Sequence, residues 1–267
     1  MAEIRSNHTG YGMKIILPLM IVAAIGLIGP AQARSLDMVR STGVLGLCAH
    51  PNSLPFASKV GDPPGFQVEL GQALARELGV SLRLDWIITR YQMRSAGCDI
   101  LLDVIADREA QSETRLALSK PYYRTGVALA VPSASKLTSF KSLDANTKVG
   151  VQVGSFAAMI LSQRHVPIST FGFEVDSLEA LASHEIDAAA VTPTMAAYFN
   201  LVHPNSELRI VGPDESEANL NWNVAVGMIR PDNELREAID TALEKLRADG
   251  TVAKIYQRYG VVLQPPQ

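Results

Sequence analysis

Charge of either sign, cysteine, aromatic rings and long apolar runs are all scarce in this chain. Its 267 residues hold two cysteines, 6% aromatic and 19% charged residues. The formal charge of −3 leaves no basic face, so nucleic acid is not an expected partner. The longest apolar run, Ile15 to Gly29 with Pro18 inside it, is short of the ~20 residues that span a bilayer. His-Glu-x-x-His, Gly-x-Ser-x-Gly and Gly-x-x-x-x-Gly-Lys are all missing, which removes the commonest metalloprotease, hydrolase and nucleotide-binding signatures. Five scattered histidines make a metal site unexpected, and no cofactor is indicated.

What remains is globular: 47% hydrophobic residues over a length that suits two lobes with separate cores. Residues 1–33 read as an export leader. Met13-Lys14 precedes the apolar run, and Ala31-Gln-Ala33 follows Pro30 as a small-x-small cleavage site. An uncleaved anchor is the alternative. No cysteine follows that site, so lipid attachment is not supported there. Cys48 and Cys98 fall in an export compartment that permits a disulfide. If both sit in parallel neighbouring strands, each residue of stagger adds ~3.3 Å and soon exceeds the ~7 Å Cα limit for a bridge. Their pairing stays open.

Along the chain, Val44–Cys48 reads as a strand and Phe66–Leu78 as a helix. Phe66, Leu70, Leu74 and Leu78 recur every fourth residue, and Gly79 stops the helix. Leu82–Trp86 and Asp99–Ile105 follow as strands, which implies a mostly parallel sheet. A second unit begins near Pro132. It has a strand at Lys148–Gln152, a helix at Ser155–Ser162 with Phe156, Met159 and Ile160 inward, and strands at Glu174-Val175 and Ile186–Val191. Arg209–Val211 adds another strand. Leu235, Ile239, Leu243 and Leu246 stripe a C-terminal helix, and Thr251 is expected to cap a last short one.

Four segments, in this order, carry a resemblance: Pro64-Gly-Phe-Gln-Val-Glu-Leu70, Leu118-Ser-Lys-Pro-Tyr-Tyr123, Val149-Gly-Val-Gln-Val-Gly-Ser155 and Leu246-Arg-Ala-Asp-Gly-Thr251. Over residues 40–260 the chain resembles the extracytoplasmic solute-binding proteins, family 3, that serve ABC importers of polar amino acids. That resemblance implies an α/β, two-lobed type II binding-protein fold with mixed, mostly parallel sheets and a two-strand hinge. Lobe 1 would be residues 34–127 with 226–267, and lobe 2 residues 128–225. A soluble periplasmic monomer that closes on a small polar ligand is implied.

The resemblance places ligand contacts at Asn52 and Phe56 in the first-lobe loop and at the Gly154-Ser155 turn. Gly154 would let the backbone approach, and Ser155 opens a helix; the plainer reading of Ser155 is an N-cap, and of Phe56 a core residue. Two departures matter. Members carry Thr-x-x-Arg after the third strand, whose guanidinium forks onto the ligand carboxylate. Here Gln111 or Ser112 stands at that place, flanked by Arg108 and Arg115. An Asp that accepts the ligand ammonium is replaced by Thr192, before Pro193, and a hydroxyl does not offset a desolvated ammonium as a carboxylate does. Asp103 adds an acid at a position normally small and polar. A free α-amino acid is therefore not the expected ligand.

Cys48-Ala-x-Pro-Asn52, Leu54-Pro-Phe56, Gly97-Cys-Asp99, Pro121-Tyr-Tyr-Arg124, Pro193 and Tyr198-Phe199 resemble the branch associated with periplasmic quinoprotein alcohol dehydrogenases. That branch implies an accessory role beside the dehydrogenase. The short Trp86–Cys98 stretch departs from the family pattern. The ABC amino-acid-binding component is one alternative. A dehydratase-like enzyme on the same fold is the other, with Asp103 as acid and Arg108 as carboxylate anchor.

Overall fold

The computed structural model describes residues 35–206, 208–212 and 220–267; the expected leader lies outside the described residues. Helix α1 is Leu36–Thr42, and β1 (Val44–Ala49) leads to the short pair β2 (Asn52–Ser53) and β3 (Ala57–Ser58). Then come α2 (Phe66–Leu78), β4 (Ser81–Trp86), α3 (Met93–Ala96), β5 (Ile100–Ile105), β6 (Ala117–Leu118), β7 (Tyr123–Gly126) and β8 (Ala128–Pro132). The next run is β9 (Val149–Gln152), α4 (Phe156–Gln163), β10 (Ile168–Phe171), α5 (Glu174–Ala182), β11 (Ala188–Val191) and α6 (Pro193–Val202). The chain ends with β12 (Leu208–Val211), β13 (Asn221–Met228), α7 (Asn233–Ala248) and α8 (Thr251–Gln257).

Two sheets result. The first runs β4-β1-β5-β13-β6, with β7 also on β13. Strands β4, β1 and β5 are parallel, and β13 runs against β5, β6 and β7. The second sheet is β10-β9-β11-β8-β12, parallel across β10, β9 and β11 and antiparallel across β8 and β12. The α2 stripe does as its spacing requires: Phe66, Leu70 and Leu74 are fully buried and Leu78 nearly so, and Gly79 ends the helix in the left-handed region. It packs beside α7 and α8 in the first core. In the second sheet, alternate residues serve opposite faces. Leu129, Val131, Val149 and Val151 pack with Ile160 and Leu161 of α4. Ala130, Ala189 and Val191 pack with Leu178 and Leu181 of α5 and with Met195 and Phe199 of α6.

The sheets are joined where β7 passes through Val127 into β8, and where Leu220 leads into β13. The Val127 N–H donates to the Leu220 carbonyl at 2.9 Å. A lobe boundary at 225/226 falls inside β13, whose whole length lies in the first sheet. Gly126 makes this crossing close: a Cβ there would lie 2.1 Å from the Leu220 carbonyl oxygen. Gly126→Ala is therefore expected to cost about 1–3 kcal/mol through forced backbone shifts. Urea denaturation reads this as a lower midpoint.

Several elements depart from the sequence expectation. Glu174-Val175 does not form a strand. Its two neighbouring acids, Glu174 and Asp176, open α5, where the N-terminal dipole favours negative charge, and the strand lies earlier at Ile168–Phe171. On α4 the buried stripe is Ala157, Ile160 and Leu161 at i, i+3, i+4 spacing. Phe156 and Met159 lie about 100° round the helix and are 44% and 49% exposed. Gly250, not Thr251, caps α8; Asp249 accepts the Thr251 N–H at 2.8 Å. Cys48 and Cys98 are joined, with Cα atoms 5.4 Å apart. The stagger limit does not apply because Cys98 precedes β5, in the turn after Gly97 (φ 71), and so lies outside the ladder. Ile87 and Met93 bury the bridge.

Candidate functional site

Three strand-to-helix turns leave the second sheet at one edge. Parallel registers put Phe171 level with Gln152, and Ala190 level with Val151. Beyond those residues the chain enters α5, α4 and α6, so three helix N-termini open at the C-terminal ends of adjacent parallel strands. That is the edge at which open α/β sheets hold ligands. In the β9–α4 turn, Gly154 takes φ 70, which disfavours any side chain. Ser155 caps α4, its Oγ accepting the Ala158 N–H at 3.1 Å. Pro193 is the first residue of α6 and Thr192 its cap.

Thr192 is tied to the neighbouring turn. Its N–H and Oγ1–H donate to Glu174 Oε1 and Oε2, each at 2.8 Å. Burial pushes the Glu174 carboxyl above its ordinary value, against the two hydrogen bonds that lower it. Among the expected ligand contacts, Gly154, Ser155 and Thr192 thus share one edge, with Glu174 beside them. A strand expected at Glu174-Val175 hides Glu174 from the sequence pattern. The signal that finds it is the acid pair Glu174 and Asp176 before an apolar helix.

The first-sheet residues divide. Asn52 lines a cavity of about 520 Å³ with Ser53 and Leu54 on one wall and Phe173, Asp176 and Tyr198 among the residues opposite. Phe56 is a packing residue: its ring lies 5.0 Å from Phe66 and touches both the first core and the cluster of α5 and α6. Arg108 lines a different cavity, about 440 Å³, with Leu118, Ser119, Pro121 and Arg236.

Asp103 sits in β5 at φ 56, a left-handed conformation uncommon for a residue with a side chain. Its Oδ1 accepts the hydroxyls of Tyr122, Tyr123 and Tyr256 at 3.0, 2.7 and 2.8 Å. Its Oδ2 accepts Gln67 Nε2–H at 2.9 Å. Burial raises the Asp103 carboxyl, and these four hydrogen bonds oppose the shift. The three hydroxyls are raised well above the usual tyrosine range, by burial first and by the Asp103 charge second, so they remain donors. The group is a hub linking β5, α2, α8 and the approach to β7. Asp103 and Tyr122-Tyr123 stand out in the chain, yet nothing in its pattern joins them to Tyr256.

Of Gln111 and Ser112, the two candidates for the place of the expected guanidinium, Gln111 is buried and engaged: Nε2–H donates to the Ile105 carbonyl and Oε1 accepts the Thr114 hydroxyl. No cluster of three or more His, Cys, Asp or Glu side chains able to hold a metal occurs among the described residues.

Residues 45–262 match the family described as bacterial extracellular solute-binding proteins, family 3. The histidine-binding periplasmic protein of Escherichia coli (strain K12) is 24% identical over 262 residues, covering 92% of this chain and 96% of the relative. The L-cystine-binding protein of the same strain is 25% identical over 256 residues, covering 90% and 94%. Among solved structures, an ancestral cationic amino acid solute-binding protein superposes with a TM-score of 0.73 at 23% identity, covering 85% of this chain and 99% of that one. At that identity the superposition speaks for the fold.

Proposed function

Because the chain belongs to family 3 of the bacterial extracellular solute-binding proteins, we propose that it is an exported, hinge-closing receptor for a small polar solute lacking the α-carboxylate of a free amino acid. Its leader would be removed on export, and closure would follow from contacts that both lobes make only together. The observation that carries the ligand reading is Gln111. Its amide is engaged with Ile105 and Thr114, and Arg108 lines a cavity with Arg236. The Gln111 amide offers no bidentate fork to a ligand carboxylate, and an unpaired carboxylate in a closed cleft is costly.

The same reading makes the protein a binder without turnover. Asp103, the best acid for a dehydratase, already accepts four protein donors, as many as the roughly four acceptor sites a carboxylate has. Calorimetric titration with L-histidine, L-arginine and L-cystine is expected to give dissociation constants weaker than about 1 mM. Micromolar binding of any of the three overturns the ligand reading. Loss of arogenate or prephenate on incubation overturns the non-enzymatic one.

Delivery to an ABC permease is the role the family supports. A second reading, service to a periplasmic quinoprotein alcohol dehydrogenase, draws support from one feature. The Cys48–Cys98 bridge covalently ties two of the segments that carry resemblance to that branch. Co-purification with such a dehydrogenase, and not with a permease, is the outcome that favours it.

A further inference from the structure

The geometry points to Glu174 as the ligand anchor and to a protonated amine without a carboxylate as the ligand class; this rests on the receptor reading above. The position comes first. Glu174 is the first residue of α5, at the edge where the β9, β10 and β11 turns converge with Gly154, Ser155 and Thr192. Its carboxyl is fixed there by two hydrogen bonds from Thr192. An ionised carboxylate offers about four acceptor sites, so each oxygen keeps one free.

The charge balance comes second. Among the described residues, no Lys, Arg or His forms an ion pair or hydrogen bond with Glu174, and only burial and Thr192 act on its titration. A partly buried carboxyl with no counter-charge among the described residues is costly as an anion, and a cation supplied from outside lowers that cost. Asp103 repeats the pattern in the first sheet, a second partly buried acid whose partners are all neutral.

The competing ligand is an anion, because three helix N-termini open on this edge and favour negative charge. The Glu174 carboxylate already takes that role at α6. It receives the Thr192 N–H and hydroxyl, and it would repel a second anion at the same place. With an amide, Gln111, where the family's guanidinium is expected, a ligand acid group would also lack that fork. An amine whose remaining polar groups are neutral or also cationic satisfies both conditions.

The test uses the mature full chain and calorimetric titration with ethanolamine and 1,4-diaminobutane, beside their hydroxyl counterparts ethylene glycol and 1,4-butanediol. At least one amine is expected to bind while its diol counterpart does not. Glu174→Gln should weaken that amine roughly 10–100-fold, the range for a hydrogen bond to a charged group. The amine–diol comparison on the unmodified protein keeps the inference testable if Glu174→Gln does not fold. Absence of binding by both amines, equal binding of amine and diol, or unchanged affinity in a folded Glu174→Gln each overturns it. Diol binding leaves the receptor reading standing. Tight binding of L-arginine or L-histidine removes the carboxylate-free ligand of that reading as well, so the two failures are distinct.

Discussion

Asp103→Ala is expected to lower the melting temperature by roughly 10 °C, the largest effect of any single substitution outside the core. The substitution removes the one acceptor shared by the hydroxyls of Tyr122, Tyr123 and Tyr256 and by the Gln67 amide. The three tyrosines stay buried, and each orphaned buried donor costs about 1–3 kcal/mol. The Tyr122 and Tyr256 oxygens lie 3.3 Å apart and can bond each other, which limits the loss to about 3–5 kcal/mol. At about 2–4 °C per kcal/mol for a chain of this size, scanning calorimetry resolves it easily. Stability within about 1 kcal/mol of the parent would mean that the hub does not hold these elements together.

The same group sets a pH dependence. Its folded pKa lies above the ordinary 3.8, so folding takes up a proton between the two values. The contribution is fully present below 3.8 and fades as pH rises through the folded value. Asp103→Asn does not titrate. Its deficit against the parent should therefore be greatest in the most acidic buffer that keeps both folded, and should shrink as pH rises. Glu174 is shifted in the same direction, so acid unfolding of this protein must be driven by other groups.

Removing the disulfide is the second large effect. Cys48→Ala with Cys98→Ala opens a loop of 50 residues, which the chain-entropy relation puts at about 4 kcal/mol. The expected fall in melting temperature is again roughly 10 °C, and a reductant acting on the parent should reproduce most of it. The satellite cluster of Ile87 and Met93 packs on the bridge, so the segment between β4 and β5 should lose hydrogen-exchange protection first. A double variant that melts with the parent would show that the unfolded chain is not constrained by this link.

Much of the fold follows from patterns that are local in the chain. The α2 stripe and its Gly79 stop, the buried run Ile186–Val191, and the Gly154-Ser155 turn are each set by residues within a few positions of one another. Side-chain periodicity and left-handed glycine geometry act at that range, so sequence alone places them. Where local signals compete, the chain is ambiguous. Glu174-Val175 could extend a strand or open a helix, and the choice went to the helix whose N-terminus two acids stabilise. On α4, Phe156 and Met159 look like core residues, but Ala157, Ile160 and Leu161 take the sheet face.

The candidate site is less legible for the same physical reason. Sequence by itself determined the two-lobed α/β class and the Gly154-Ser155 turn, which depend on residue type at a fixed spacing, while the missing guanidinium at Gln111 or Ser112 and the Thr192 replacement follow from the family resemblance. Only tertiary structure decided that Asp103 belongs to three tyrosines, one of them 153 positions away, and that Thr192 delivers two hydrogen bonds to Glu174. It also decided that Cys48 meets Cys98. Burial and hydrogen-bond pairing are properties of neighbours in space, and a one-dimensional pattern carries spacing along the chain but not the partner on the other side of a sheet.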